Sequence, residues 1–307
     1  MIVYESNKNW FRDIWHLTTS WTIRKIIYGV LIIGGYTLAV CLTLDYTTYE
    51  PRLHSSVFSL LGIVLSILLV FRTNTAYDRW WEGRKQWGAL VNNCRNLSVM
   101  LHATLPKEDD ESRSFYAKHI ANFCIALKDH LRAGATTDNL VLLSDEEKAE
   151  LNKKKHKPNH ISFWIYNRMQ QTYQTGTFDE ADFINLKPQH QALLDILGAC
   201  ERILKTPIPY SYAVYIKIYI TIYGLMLPFG LYNDFGLYTI PIVMFIFFAM
   251  IGIELMAQEI EEPFGLDCND LSTADMAHNI KNNVFEIFEV SHARTESKEK
   301  ELYTKVH

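Results

Sequence analysis

Hydrophobic and polar positions divide this chain into two kinds of stretch. Four blocks carry almost no charge, and a long charged middle separates the first two from the last two. The first, Ile26 to Leu44, holds 19 uncharged residues between Arg24–Lys25 and Asp45. That is close to the ~20 apolar residues a helix needs to cross the hydrocarbon core of a bilayer. The second, Ser59 to Phe71, is shorter and passes, with no Gly or Pro at the junction, into the basic and aromatic run "RTNTAYDRWWEGRKQW". The third, Tyr210 to Tyr232, carries only Lys217, and the fourth, Phe235 to Ile253, is uncharged and ends at Glu254. The short links within each pair make two hairpins. The pattern predicts an all-α integral membrane protein with four transmembrane helices and a helical cytosolic region.

Lys and Arg in the flanks set the orientation. The loops after blocks one and three contain only Arg52, whereas the other side collects Arg12, Arg24, Lys25, Arg72, Arg79, Arg84, Lys85, Arg202 and Lys205. Both termini and the middle are therefore expected in the cytoplasm. Residues 1–23 read as a cytosolic or interfacial segment, 24–74 as transmembrane helices 1 and 2, and 75–209 as a cytosolic helical region. Residues 210–256 read as transmembrane helices 3 and 4, and 257–307 as a cytosolic helix and tail. In "NWFRDIWHL", Trp10, Phe11, Ile14 and Trp15 could share one apolar side, which suits either an interfacial helix or one packed on the protein's own soluble part.

The middle reads as helices in water. "ESRSFYAKHIANFCIALKDHLR" spaces its apolar residues by three and four. "SDEEKAELNKKKHK" opens on a capping-type Ser144 and reads as a solvated helix and loop. "DEADFINLKPQHQALLDILGACERILKTPIP" predicts a helix closed by Pro207 and Pro209. His156 and His160 in "HKPNH" flank Pro158 with no third ligand near them in sequence, so they read as a polar loop.

The second block has two faces. Ser55, Ser59, Gly62 and Ser66 form a small-residue face of the kind that lets helices approach closely in lipid. Ile63, Ile67 and Phe71 recur at i, i+4 and i+8 as a bulky apolar stripe. Periodicity fits plain bundle core, and it fits equally a pore helix whose copies stack apolar rings around an axis. Oligomerisation is the economical way for so small a membrane domain to enclose a pathway.

Charge and composition remove other classes. A net charge of −4 with no basic stripe gives no case for nucleic acid. The five cysteines are scattered, without a C-x-x-C, and read as reduced thiols. No H-E-x-x-H or G-x-S-x-G motif supports an enzyme, although Glu254, Glu259 and His278 are the groups a membrane-embedded one would use. A non-conducting membrane scaffold remains as a further alternative.

The segments "SLLGIVLSILLVFRTNTAYDRWWEGRKQWGALVNNCRNL", "GACERILKTPIPYSYAVYI" and "QEIEEPFGLDCNDL", in this order across nearly the whole chain, resemble the bestrophin family in its bacterial branch. The resemblance implies a homopentameric ion channel of the inner (plasma) membrane, partnered by itself, by lipids and by permeant monovalent ions. It places the narrow neck on Ile63, Ile67 and Phe71, the same set that periodicity marks. A second, cytosolic constriction falls near Ala181, where a bulky aliphatic is common in the family, with Phe183 and Ile184 as neighbouring candidates. An acidic clasp that binds Ca²⁺ in animal members corresponds to Glu259, Glu262, Asp267 and Asp270. The dense aspartate run of the animal members is missing, so no cofactor is expected to be required, with Ca²⁺ as the alternative. Animal members pass anions such as chloride and bacterial ones are linked with cations, so the sign of the ion stays open. The basic and aromatic residues from Arg72 through Arg79, Trp80 and Trp81 are expected to anchor the helix at the membrane interface.

Overall fold

A computed structural model of the chain describes residues 21–47, 54–132 and 134–291. The expected N-terminal interfacial helix and most of the polar tail lie outside the described residues. Among those residues every element is helical: α1 (Trp21–Thr47), α2 (Ser55–Thr104), α3 (Asp110–His130), α4 (Asp145–Asn152) and α5 (Lys157–Gln174). There follow α6 (Glu180–Lys205), α7 (Tyr210–Phe235), a 3₁₀ turn at Gly236–Tyr238, α8 (Thr239–Glu261) and α9 (Thr273–Ile287). Three helical stretches among the described residues are long and apolar enough to cross a membrane: Thr22–Thr47, Ser55–Thr104 and Tyr210–Glu261, the last holding α7 and α8.

The chain divides into two compact units, and α2 contributes residues to both. The first gathers the described residues up to 80 with 207–262. Its core joins Ile33, Phe58, Leu65, Leu69, Ile216, Ile220, Tyr223, Leu227 and Val243. Close approach here depends on glycine. A Cβ on Gly230 of α7 would run into the Phe58 ring, and one on Gly62 of α2 would lie 2.7 Å from the Tyr223 hydroxyl. Because Gly62 has no side chain, Tyr223 can donate to the Phe58 carbonyl (3.2 Å), and one turn away Tyr219 donates to that of Leu61 (3.2 Å). Many large apolar side chains nonetheless point outward, among them Leu31, Leu42, Leu60, Ile218 and Phe245. A patch so extensive has no stable place in water and marks a lipid or protein contact surface.

The second unit gathers residues 81–206 with the described residues from 263 on. Here the large apolar side chains turn inward. Trp87, Leu90, Leu97, Tyr116, Phe123 and Ile165 are fully buried. Cys94 and Cys124 touch at 3.4 Å between sulfurs as free thiols, and burial pushes the Cys124 thiol up. Helix ends are capped as their sequences suggest. Ser144 and Glu147 form a capping box on α4, and Asp179 and Asp182 form another on α6. The stretch "HKPNH" is not a loop, however. Pro158 sits in the first turn of α5, where its missing N–H costs nothing, and His156 is the N-cap, its Nδ1 accepting from Asn159 N–H (3.3 Å). His119 is buried beside Phe115 and Trp164. Burial and the nearby Lys118 cation push it down to about 4, against the pull of Glu147.

Candidate functional site

The two halves of α2 differ in what surrounds them. In the apolar half, Phe58, Leu65 and Leu69 are buried, which defines the face turned to the chain's own core. At 100° per residue Ile63, Ile67 and Phe71 lie on the opposite side. They are 59%, 51% and 60% exposed. The stripe is thus excluded from the core of its own chain, which removes the plain bundle-core reading for these three residues within one protomer.

The small-residue face is divided. Gly62 is turned to Tyr223 of the same chain. Ser59 and Ser66 are exposed, and their hydroxyls donate to the Ser55 and Gly62 carbonyls one turn back (3.2 and 2.8 Å). Beside Ser66 an apolar groove of ≈ 530 Å³ opens between α2 and α8, lined by Leu69, Val70, Phe245 and Met250 among others.

Just beyond Phe71 the structure corrects the sequence expectation. An interfacial anchor reaches out to the headgroups, whereas the Arg72 side chain turns inward and is 1% exposed. Its Nη2 donates to Glu261 Oε2 at 2.7 Å, and its Nε lies 3.4 Å from Glu254 Oε2. Glu261 also accepts the Ile208 amide at Oε1 (2.9 Å), and its carbonyl accepts from Arg79 Nε (3.1 Å). Two carboxylates thus hold one buried guanidinium at the end of the apolar half of α2. The physical reason is cost: a charge that cannot reach water is tolerated only when paired and hydrogen-bonded. Glu261 escaped the sequence reading. The available signal was the seven-residue spacing of Glu254 and Glu261, which puts both on one helical face.

The other sequence candidates are placed as follows. On the first turns of α6, Ala181 and Ile184 are exposed, whereas Phe183 is partly buried and stacks with Tyr173 at 5.0 Å between ring centroids. Of the clasp carboxylates, Glu259 is buried and accepts from the Thr22 hydroxyl at 2.6 Å. Asp270 is buried and accepts the Asp267 amide at 2.6 Å. Glu262 is exposed at the C-terminal end of α8, and Asp267 is exposed. Glu254, considered above for an enzyme, is engaged with Arg72; His278 is half-buried on α9, and burial with Lys128 and Lys281 lowers its pKa.

Comparison with known proteins agrees with this architecture. Residues 1–286 match the family model described as bacterial/fungal bestrophin protein. The chain is 34% identical over 297 residues to a voltage-dependent anion channel-forming protein of Nostoc sp., covering 93% of this chain and 94% of that one. It is 34% identical to a Synechocystis protein of the same description, covering 87% of this chain and 88% of that one. The crystal structure of a bacterial bestrophin homologue from Klebsiella pneumoniae superposes with a TM-score of 0.81 at 27% identity, over 87% of this chain and 100% of that chain. A chain whose described elements are all helical, with long apolar spans and a match along nearly its full length, belongs to the bacterial and fungal bestrophin family.

Proposed function

We propose that this chain forms an anion-conducting channel, a homopentamer of the inner membrane with four transmembrane passes per chain and both termini in the cytoplasm. The observation that carries the reading is the exposed stripe of Ile63, Ile67 and Phe71, set opposite the buried face of α2. In water such a stripe would be a liability; around an axis it makes three stacked apolar rings. Rings of that kind narrow a pathway and gate it by dewetting. The exposed Ser59 and Ser66 and the groove beside Ser66 supply a surface on which a neighbouring copy can seat. The relatives described as anion channel-forming proteins support the sign of the ion, which apolar rings do not set by themselves.

Residues 24–74 and 210–256 supply the membrane part in this reading, and residues 75–209 with 257–307 the cytosolic part. The exposed Ile184 is the better candidate for a second constriction, because Phe183 is stacked within its own chain. No cofactor is required. Glu259 and Asp270 already accept hydrogen bonds from within the chain, so chelating Ca²⁺ should leave the current unchanged.

The decisive experiment is a planar-bilayer recording of purified protein under asymmetric salt. A reversal potential near that of chloride is expected, and one near that of the cation would reverse the sign. Ala at positions 63, 67 and 71 together should raise conductance by widening and wetting the neck. An unchanged current would remove these residues from the pore, and a pentamer is the mass expected in detergent.

A further inference from the structure

The second unit contains a cluster that the channel reading does not use. Among the described residues, His130, His156 and Glu201 bring three metal-ligating atoms within 4.8 Å of one another. His130 Nε2 lies 2.6 Å and His156 Nε2 2.8 Å from the same oxygen, Glu201 Oε1. The two imidazole rings lie 4.4 Å apart between centroids, tilted by 40°. Each ligand stands on a different helix: His130 is the last residue of α3, His156 caps α5, and Glu201 lies in the last turns of α6. All three are only partly buried, so an ion could enter from water.

We propose that His130, His156 and Glu201 form a site for Zn²⁺ or a similar borderline divalent ion, clipping α3, α5 and α6 together. Two imidazoles and one carboxylate are the ligand set of an open tetrahedral zinc centre, with water in the fourth position. The mixed nitrogen–oxygen set disfavours Ca²⁺ and Mg²⁺, which take oxygen ligands, and the lack of thiolate disfavours Cu⁺. Metal–ligand bonds of ~2.0–2.2 Å in a tetrahedron hold ligand atoms about 3.3 Å apart. The hydrogen-bonded separations of 2.6 and 2.8 Å must therefore open by about 0.7 and 0.5 Å.

The metal takes the Nε2 lone pair of each ring, so each neutral imidazole moves its proton to Nδ1. For His156 that forfeits the long hydrogen bond from Asn159 N–H, and metal affinity is coupled to the cap of α5. Lys205 Nζ, 3.4 Å from Glu201 Oε2, remains on the far oxygen of the carboxylate.

The test uses the full-length protein in detergent, stripped with a chelator and titrated with Zn²⁺ or Co²⁺. One equivalent per chain is expected, with the visible d–d bands of four-coordinate Co²⁺ and a rise in the thermal midpoint on loading. His156→Asn keeps a good N-cap residue and removes the ligand; it should weaken binding at least tenfold, as should His130→Gln and Glu201→Gln. His160→Asn, outside the cluster, should bind as the wild type does. The proposal is overturned if the wild type takes up no metal, or if His156→Asn and His130→Gln bind as tightly as the wild type. Currents through the neck play no part in the readout, so this test and that of the channel fail independently.

Discussion

One helix, α2, obeys opposite rules along its two halves. From Ser55 to Phe71 its large apolar side chains Leu60, Ile63, Val64, Ile67 and Phe71 are exposed, and its packing relies on Gly62 beneath Tyr223. From Ala76 to Leu101 the apolar residues Trp87, Leu90, Cys94 and Leu97 are buried, and Asp78, Arg84, Lys85 and Arg95 are exposed. The backbone is the same; what it buries is not. An apolar core under a charged surface, as in the second half, is the pattern that water drives. Lipid supplies no such drive, so the first half must hold together through close approach, carbonyl-directed hydroxyls and a buried ion cluster. A mutation should therefore cost most in the first half where it touches charge or glycine, and least where it touches an exposed leucine-sized side chain.

The largest expected effect is at Arg72. Replacing it by Ala leaves Glu254 and Glu261 buried without their cation, at a cost of about 3–5 kcal/mol, read as loss of a monodisperse, heat-stable species in detergent. Combining it with Glu254→Gln and Glu261→Gln should restore part of that loss. If Arg72→Ala alone is as stable as the wild type, the cluster does not hold this end of the helix.

The next effect belongs to the second unit and to pH. His119 is held neutral by burial, at about 4 against an ordinary value near 6.5. The unfolded chain therefore binds a proton that the folded one refuses between those values. Stability is full above about pH 6.5 and falls as pH drops toward 4, by up to roughly 3 kcal/mol. Unfolding midpoints recorded across that range should slope this way, and His119→Gln should flatten the slope.

Gly230→Ala comes third, because the new Cβ would meet the Phe58 ring head-on. A cost of about 1–3 kcal/mol is expected, with relief from Phe58→Leu in the same chain; thermal melts of the pair check both. Smallest for stability, at about 0.5 kcal/mol or less, is the triple Ala change at Ile63, Ile67 and Phe71, since these side chains are more than half exposed and lie outside the chain's own core. A large loss of the folded protomer would show that the stripe packs internally after all.

Much of the fold was legible because hydropathy is a local property. The uncharged block from Ile26 to Leu44 lies within α1, and the unbroken passage from Phe71 to Arg72 continues in α2, which ends at Thr104. Ser144 announced its capping box through a Glu three residues on. What failed to be legible depends on who meets whom in space. Arg72 looked like an interfacial anchor because sequence shows a basic residue at the end of an apolar run, not the two carboxylates 182 and 189 positions away. His156 looked like a loop residue for the same reason: its partners, His130 and Glu201, come from two other helices.

By itself, then, the sequence determined the membrane character, the helical class, the family and the two-faced pattern of the second block. All of these follow from short-range periodicity and from motifs read in order. Only the tertiary structure decided which face of α2 the chain keeps for its own core and that Gly62 serves Tyr223. It also decided that Arg72 is buried between carboxylates and that two histidines meet on one glutamate. Those are matters of distance between residues far apart along the chain, and pairing energies act through space.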